Sequence, residues 1–408
     1  MTTETLNTRC CIAGGGPAGM VLGFLLARAG VDVTVLEKHA DFLRDFRGDT
    51  IHPSTLEVMH ELGLLEKFLQ RPHSEVRQLE VKIGDETLQV ADFSALPTHC
   101  RFIALMPQWD FLNFLAEEGK RYPKFKLVMQ AEVTGLLNEN GRFTGVRART
   151  PQGEITLRAD LVVAADGRAS VVRQAAGFEV QDQGAPMDVL WLRLPKEAGD
   201  PGQVMGHIGA GRFFIMLDRG DYWQCAYVIP KGGMATVHAN GLPAFQQSIV
   251  ELAPYLRDRV AQLDDWDKIK LLTVKVDRLS QWAKPGVLCI GDAAHAMSPI
   301  GGVGINLAVQ DAIASANLLA APLAAGTPTM AQLEAVQERR EFPTRATQRM
   351  QVTIQNRLIT PLLASRAESV HAPTALRLLL SLSSVRRFAA RAVGMGVRPE
   401  HVHTREAP

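Results

Sequence analysis

Three short runs of this 408-residue chain hold residue types that could do chemistry. The first is Gly14-Gly15-Gly16-Pro17-Ala18-Gly19, in which Gly14, Gly16 and Gly19 have GxGxxG spacing. In such a turn the first glycine permits a tight bend. The second lets the backbone approach a pyrophosphate, and the third lets a helix pack on a strand. A helix starting at Pro17 would turn its positive end toward phosphates. Glu37, followed by Lys38, lies where a carboxylate accepts from ribose hydroxyls. An acid there opposes a 2′-phosphate, so the turn points to FAD or NAD rather than NADP. The second run is Asp166-Gly167-Arg168, a cation beside a turn that could meet phosphates. The third is Gly291-Asp292-Ala293-Ala294-His295, followed by Pro299 and Gly301-Gly302-Val303-Gly304-Ile305-Asn306. A helix opening after these glycines would aim its N–H groups at an anion.

The elements that must position these runs are legible. Residues 8–13 read as a strand, Ala18 to Ala29 as a helix closed by Gly30, and Val31 to Leu36 as a second strand. This βαβ unit calls for a parallel sheet. Asp160 to Ala164 is a short apolar strand running into Asp166-Gly167, and Val287 to Ile290 leads to Gly291. Val303 to Leu319 reads as a long helix. Residues 53–62 and Gln108 to Arg121 are further helices. Val76 to Val90 alternates as antiparallel strands do, and Lys126 to Leu157 reads as strand, turn, strand, with turns at Asn140-Gly141 and Gln152-Gly153. Residues 180–285 change character: Val189–Leu194, Phe213–Leu217 and Tyr222–Ile229 suggest a second sheet, interrupted by a helix from Leu242 to Leu252. Nearly everything after Pro328 reads as helices.

The three motifs, in this order and spacing, resemble the single-component (class A) flavoprotein monooxygenases, the family of p-hydroxybenzoate hydroxylase. The resemblance covers residues 8 to about 320. It implies an α/β fold: a Rossmann-like FAD-binding domain with an inserted β-sheet substrate domain and C-terminal helices. The expected FAD domain is residues 1–75, 100–180 and 285–330, the substrate domain 76–99 and 181–284, and the helical segment 331–408. It implies that Asp166 and Gly167 lie near the pyrophosphate and the nicotinamide donor, and that Asp292 bonds the ribityl chain. Pro299, Gly301 and Gly302 would wall the flavin ring, with Gly304, Ile305 and Asn306 opening the helix beneath it. Arg47 and Gln108 match residues that the family places near the cofactor. Arg168 and Arg278 are expected to meet the NADH or NADPH that reduces it. In this family O₂ then forms a C4a-hydroperoxyflavin, whose terminal oxygen goes to an electron-rich ring. His295 is expected to be a structural partner inside its motif.

The remaining residues bound the reading. The chain is 46% hydrophobic and 21% charged with net charge +1, so no global field favours nucleic acid. Met1 to Arg9 has no apolar core of a signal peptide, and no stretch reaches the roughly 20 apolar residues of a bilayer span, so a cytoplasmic monomer or homodimer without stable membrane insertion is expected. Cys10, Cys11, Cys100, Cys225 and Cys289 show no metal-ligand spacing and read as buried thiols. Only one GxGxxG is present, and no CxxC, which argues against a disulfide reductase. The thioredoxin-like extra domain of longer phenol hydroxylases is not expected. Trp191, Phe213, Phe214, Met216, Tyr222 and Trp223 are candidates for the wall of an aromatic-substrate pocket, of which alternation lets about half face it. His52, His99 and Tyr227 could orient or deprotonate a phenol. The flavin-dependent halogenases share the family's fold and carry Trp-x-Trp-x-Ile-Pro; here Tyr222 to Pro230 keeps the Ile-Pro and lacks the tryptophan pair. Halogenation, epoxidation and prenyl reduction stay open as alternatives, as does a non-catalytic nucleotide- or prenyl-binding protein. Arginines from Arg377 to Arg398 fit a docked helix with snorkelling side chains, or one lying on a membrane surface.

Overall fold

A computed structural model describes residues 4–43, 50–200, 206–209, 211–364 and 371–408. Its first sheet runs in the order Ala283–Lys284, Val287–Cys289, Gly153–Ala164, Glu4–Ala13, Val33–Glu37 and Phe125–Met129. Along this path all neighbours are parallel except the first pair, and Arg142–Thr150 and Glu132–Glu139 branch antiparallel from Gly153–Ala164 to make eight strands. Register explains why three distant motifs share one place. Ala13 pairs with Ala164 and with Leu36, and Ala164 pairs with Cys289. The turns that follow these strands therefore leave the sheet at one level, along its carboxyl edge. That is where parallel sheets bind ligands.

Helix Pro17–Arg28 is buried from Ala18 to Ala27, as its apolar run dictates. It packs beside helix Gly304–Ala325, which buries fourteen of its residues. The segment Ile300–Ala325 is long and apolar enough to cross a bilayer, contrary to the sequence-based expectation that no stretch is. Its most apolar window is 72% buried, because this helix is the centre of the core rather than its surface.

The second sheet has seven strands, in the order Lys270–Leu272, Met187–Pro195, Tyr222–Pro230, Arg212–Asp218, Gly206–Gly209, Gln78–Ile83 and Glu86–Asp92. Alternation gives it two apolar faces. Leu190, Leu192, Phe214, Met216, Trp223, Cys225 and Tyr227 pack under helix Leu242–Leu252. Val189, Trp191, Phe213, Ile215, Ala226 and Val228 face the other way.

After the core helix comes helix Met330–Ile354, capped by Thr329 and Gln332 in a reciprocal box. It widens into a π turn, Gln355–Ile359. Helices Thr374–Ser381 and Ser383–Gly394 follow. The expected helical segment stops there. Residues 396–408 carry no helix because side chains elsewhere satisfy their backbone: Glu61 takes the Val402 N–H at 2.8 Å and Asn317 that of His403 at 2.9 Å. Ala407 N–H reaches the carbonyl of Arg28 at 2.8 Å.

Candidate active site

The glycine turn shows a division of labour. Gly14 has φ +104°, and a Cβ there would lie 2.4 Å from the carbonyl oxygen of Ala165. A Cβ on Gly19 would lie 2.0 Å from the carbonyl oxygen of Gly14. Both are compelled by the protein's own packing. A Cβ on Gly16 would meet nothing within 4 Å. Gly16 is the N-cap of a helix that no side chain caps, and Pro17 stands at its first position. This leaves an open cradle at a positive helix end. Glu37 accepts from Gly15 N–H at 2.9 Å and holds its carboxylate beside the cradle, while Lys38 is exposed just past the strand.

Asp166 follows the next strand. One carboxylate oxygen accepts from Val171 N–H at 2.8 Å and Val172 N–H at 3.3 Å, and the other is buried without a partner. Burial raises its pKa against these hydrogen bonds. The residues around it tie two motifs together. Arg168 Nε donates to Asp292 Oδ2 at 3.3 Å. The buried Arg173 donates to the carbonyls of Arg168 at 2.5 Å and Ala293 at 3.3 Å, and its guanidinium lies 3.6 Å from Asp277.

The third motif rests on a buried charge cluster. Asp311, 0% exposed, accepts from Gly291 N–H at 3.0 Å, Arg340 Nε at 3.0 Å and His295 Nε2 at 2.6 Å. Burial would raise its carboxyl pKa, but His295, Arg340 and Gly291 outweigh that and hold it below the usual range. Trp282 lies against the His295 ring, centroids 4.9 Å apart. Beyond this cluster come Gly301 (φ +75°) and Gly302 (φ +64°), left-handed positions where a side chain would strain the backbone. Helix Gly304–Ala325 then opens with no side-chain cap. Asn306 accepts from Ser54 in a short hydrogen bond, and Ile305 packs against the main core. Ile300 extends from this loop into the apolar face of the second sheet that holds Trp191, Phe213 and Ile215.

Other expected residues fall elsewhere. Met216 and Trp223 are buried on the opposite face, and Trp223 Nε1 donates to Asp200 at 2.6 Å. Tyr227 lies with them. Their register parity, hidden in the sequence, decided this. Tyr222 is on the loop-facing parity, with the Arg193 guanidinium 5.1 Å from its ring centre. His52 is buried and engaged at both ring nitrogens by carbonyl oxygens, of Val393 at 2.9 Å and Gly302 at 3.1 Å, so neither is left for a substrate proton. His99 is exposed, pairs with Glu57 and stacks on His60. Gln108 is half-buried at the start of helix Gln108–Gly119. Arg278 reaches Gln181 at 3.5 Å on the neighbouring strand. Arg47 lies outside the described residues. All five cysteines are buried and unpaired. No group of ligands among the described residues could hold a metal ion. Sequence reasoning missed Thr50, Ser54, Asp311, Arg340 and the glutamines of the long helix. Only the spacing of Gln348, Gln351 and Gln355 on one helical face signalled the last.

The open Gly16 cradle, the unpartnered Asp166 oxygen and the uncapped helix behind two left-handed glycines fit a flavin dinucleotide. A family model described as FAD binding domain matches residues 7–350. Over 396 residues the chain is 32% identical to 6-methylpretetramide 4-monooxygenase of Streptomyces rimosus, covering 96% of this chain and 93% of that protein. Other curated relatives are longer, and the chain spans 56–63% of them. Among solved structures, the anhydrotetracycline hydroxylase OxyS of Streptomyces rimosus matches with TM-score 0.76 at 22% identity, over 97% of this chain and 77% of that one. The flavin-dependent brominase Bmp2 matches with TM-score 0.76 at 16% identity, over 95% and 93%. The chain belongs to the FAD-binding family of class A flavoproteins. Within it, the protein is an FAD-dependent monooxygenase.

Proposed function

We propose that the protein hydroxylates an electron-rich aromatic or heteroaromatic small molecule, with NADH or NADPH as electron donor and O₂ as oxygen source. One observation carries this reading: Ile300 of the glycine loop packs against the same apolar cluster of the second sheet as Trp191, Phe213 and Ile215. Flat and branched side chains opposite a flavin-facing loop suit a planar, apolar substrate. When bound, FAD supplies the redox chemistry and the activated oxygen. The chain's own groups bind and orient. The N–H groups from Gly16 through Ala18 and Gly19 receive the pyrophosphate, with Pro17 fixing the helix start. Glu37 receives the ribose, with Lys38 beside it. Asp166 and Gly167 border the pyrophosphate, and Asp292 takes the ribityl hydroxyls. Pro299, Gly301, Gly302, Gly304, Ile305 and Asn306 border the ring, where helix N–H groups stabilise negative charge. The apolar wall keeps water out.

In this reading the first sheet with its helices (1–75, 100–180 and 285–330) holds the cofactor, and the second (76–99 and 181–284) holds the substrate. Arg168, Arg278, Arg47 and Gln108 are the candidates for donor and cofactor contacts. The names of the tetracycline-type relatives support a polycyclic phenol as substrate. The protein would act in the cytoplasm as a monomer or homodimer.

The test is the rate of flavin bleaching by NADH or NADPH under anaerobic conditions, with and without single-ring and polycyclic phenols. Faster bleaching with one compound, followed by an oxygenated product in air, supports the reading. A halogenated product formed with added halide, or no oxygenated product from any phenol, overturns it.

A further inference from the structure

Helix Met330–Ile354 and the π turn that continues it bury an unusual set of polar side chains. Gln348, Gln351 and Gln355 are 2%, 0% and 0% exposed. Their spacing of three and four residues puts them on one face. Most buried faces of this length are apolar, so the partners are informative.

All three glutamines serve one segment. Gln348 Nε2 donates to the carbonyls of Asp277 at 2.8 Å and Ala296 at 3.1 Å. Gln351 Nε2 donates to the carbonyls of Ser298 and Ile300, both at 2.9 Å, and its Oε1 accepts from Ser298 N–H at 3.2 Å. Gln355 Nε2 donates to Ser298 Oγ at 2.7 Å. The strand pair that carries this segment ends at Ala296, so from Met297 to Ile300 no sheet ladder fixes the backbone. The glutamines replace it. Gln355 opens the π turn, in which Gln355 and Ile359 are the buried residues. Such turns recur at functional sites.

The next residues are the left-handed glycines of the loop. Downstream of them the Gly302 carbonyl is held by Thr50 Oγ1 at 3.3 Å and by His52. The loop is thus gripped on both flanks by groups outside the three motifs. We infer that Gln348, Gln351 and Gln355 are positioning residues that set where the loop Pro299–Gly304 stands relative to the flavin. The inference rests on the reading that this loop faces the flavin.

The experiment uses the FAD-loaded protein and measures FAD dissociation constant, flavin absorbance and flavin midpoint potential beside melting temperature. Gln351→Met keeps the volume and strips three hydrogen bonds; FAD is expected to dissociate roughly tenfold more readily, with a shifted potential. Gln355→Met gives a second, milder variant should the first fold poorly. Thr347→Val is the control. Thr347 is buried on the same helix but bonds only Pro343 within it, so melting should fall while the flavin readouts hold. Gly302→Ala probes the loop directly, since its Cβ would come 2.5 Å from Thr50 Oγ1. If Gly302→Ala moves the flavin readouts and neither glutamine variant does, the glutamines are structural only and the inference falls. If Gly302→Ala also leaves them unmoved, the reading of the loop falls and takes the inference with it.

Discussion

His52 Nε2 lies 3.1 Å from the carbonyl oxygen of Gly302, and the opposite ring nitrogen lies 2.9 Å from that of Val393. A neutral imidazole donates through one nitrogen only, so this wedge would favour the charged ring. Burial wins: it pushes the pKa of His52 from 6.5 down to about 4 against both carbonyls. His207, buried in the second sheet near Lys82, is likewise lowered to about 4.

Both histidines therefore bind protons more readily in the unfolded chain. Between pH 6.5 and 4 the unfolded state takes them up and the native state does not, so stability falls as pH falls through that window. Each ring removes on the order of 3 kcal/mol by the bottom of it. Urea unfolding at steps across this range should show a pH slope that His52→Gln reduces by about one proton's worth. Identical slopes in the two proteins would show that His52 is not a buried neutral ring.

The glycines of the first turn should separate by what they touch. Gly14→Ala and Gly19→Ala place a Cβ against backbone oxygens and are expected to give insoluble or unfolded protein. Gly16→Ala meets only open space at φ −74°, so it should fold with an unchanged melting temperature. Its methyl would stand where the pyrophosphate approaches, and FAD affinity should drop by at least about tenfold. Retained affinity would move the dinucleotide away from this turn.

Arg340 and Asp311 are 1% and 0% exposed, and without Arg340 the buried carboxylate keeps only His295 and the Gly291 N–H. Arg340→Met is expected to cost about 3–5 kcal/mol in denaturant unfolding. Because Asp311 also holds Gly291 N–H, the surviving folded fraction should retain FAD poorly. A variant as stable as the parent would mean that the carboxylate finds other partners.

The two tryptophans of the second sheet make opposite predictions. Trp223→Ala opens a cavity in a closed core and should lose about 3–5 kcal/mol of stability. Trp191, half-buried on the loop side, should lose less when cut to alanine, while substrate stimulation of flavin bleaching changes severalfold. The reverse pattern would exchange the two faces of the sheet.

The sequence made the middle of the first sheet legible because Glu4–Ala13, Gly153–Ala164 and Val287–Cys289 each run directly into a motif. Helix Pro17–Arg28 and helix Leu242–Leu252 stand within a residue or two of where apolar spacing and Gly30 put them. The facing of the second sheet was not legible: Trp191 and Trp223 look alike until register assigns parity. The glutamines were hidden for another reason. Polar residues at helical spacing ordinarily mark a solvated face, and the groups they serve stand about fifty residues earlier in the chain. His52 read as a possible base because nothing local shows that Val393 arrives from the far end to close over it.

The seam between Gly206–Gly209 and Gln78–Ile83 bears on engineering by exchange. Val81 and Ile83 pair in parallel with Gly206 and Ile208, so the second sheet is sewn from two stretches of chain separated by much of the first. A chimera that imports residues 181–284 from a relative sets a foreign inner strand against the host's own Gln78–Ile83. A seam that fails to match there would leave a strand edge open to other chains. Transplanting a new specificity should therefore succeed only when residues 76–99 travel with the larger graft.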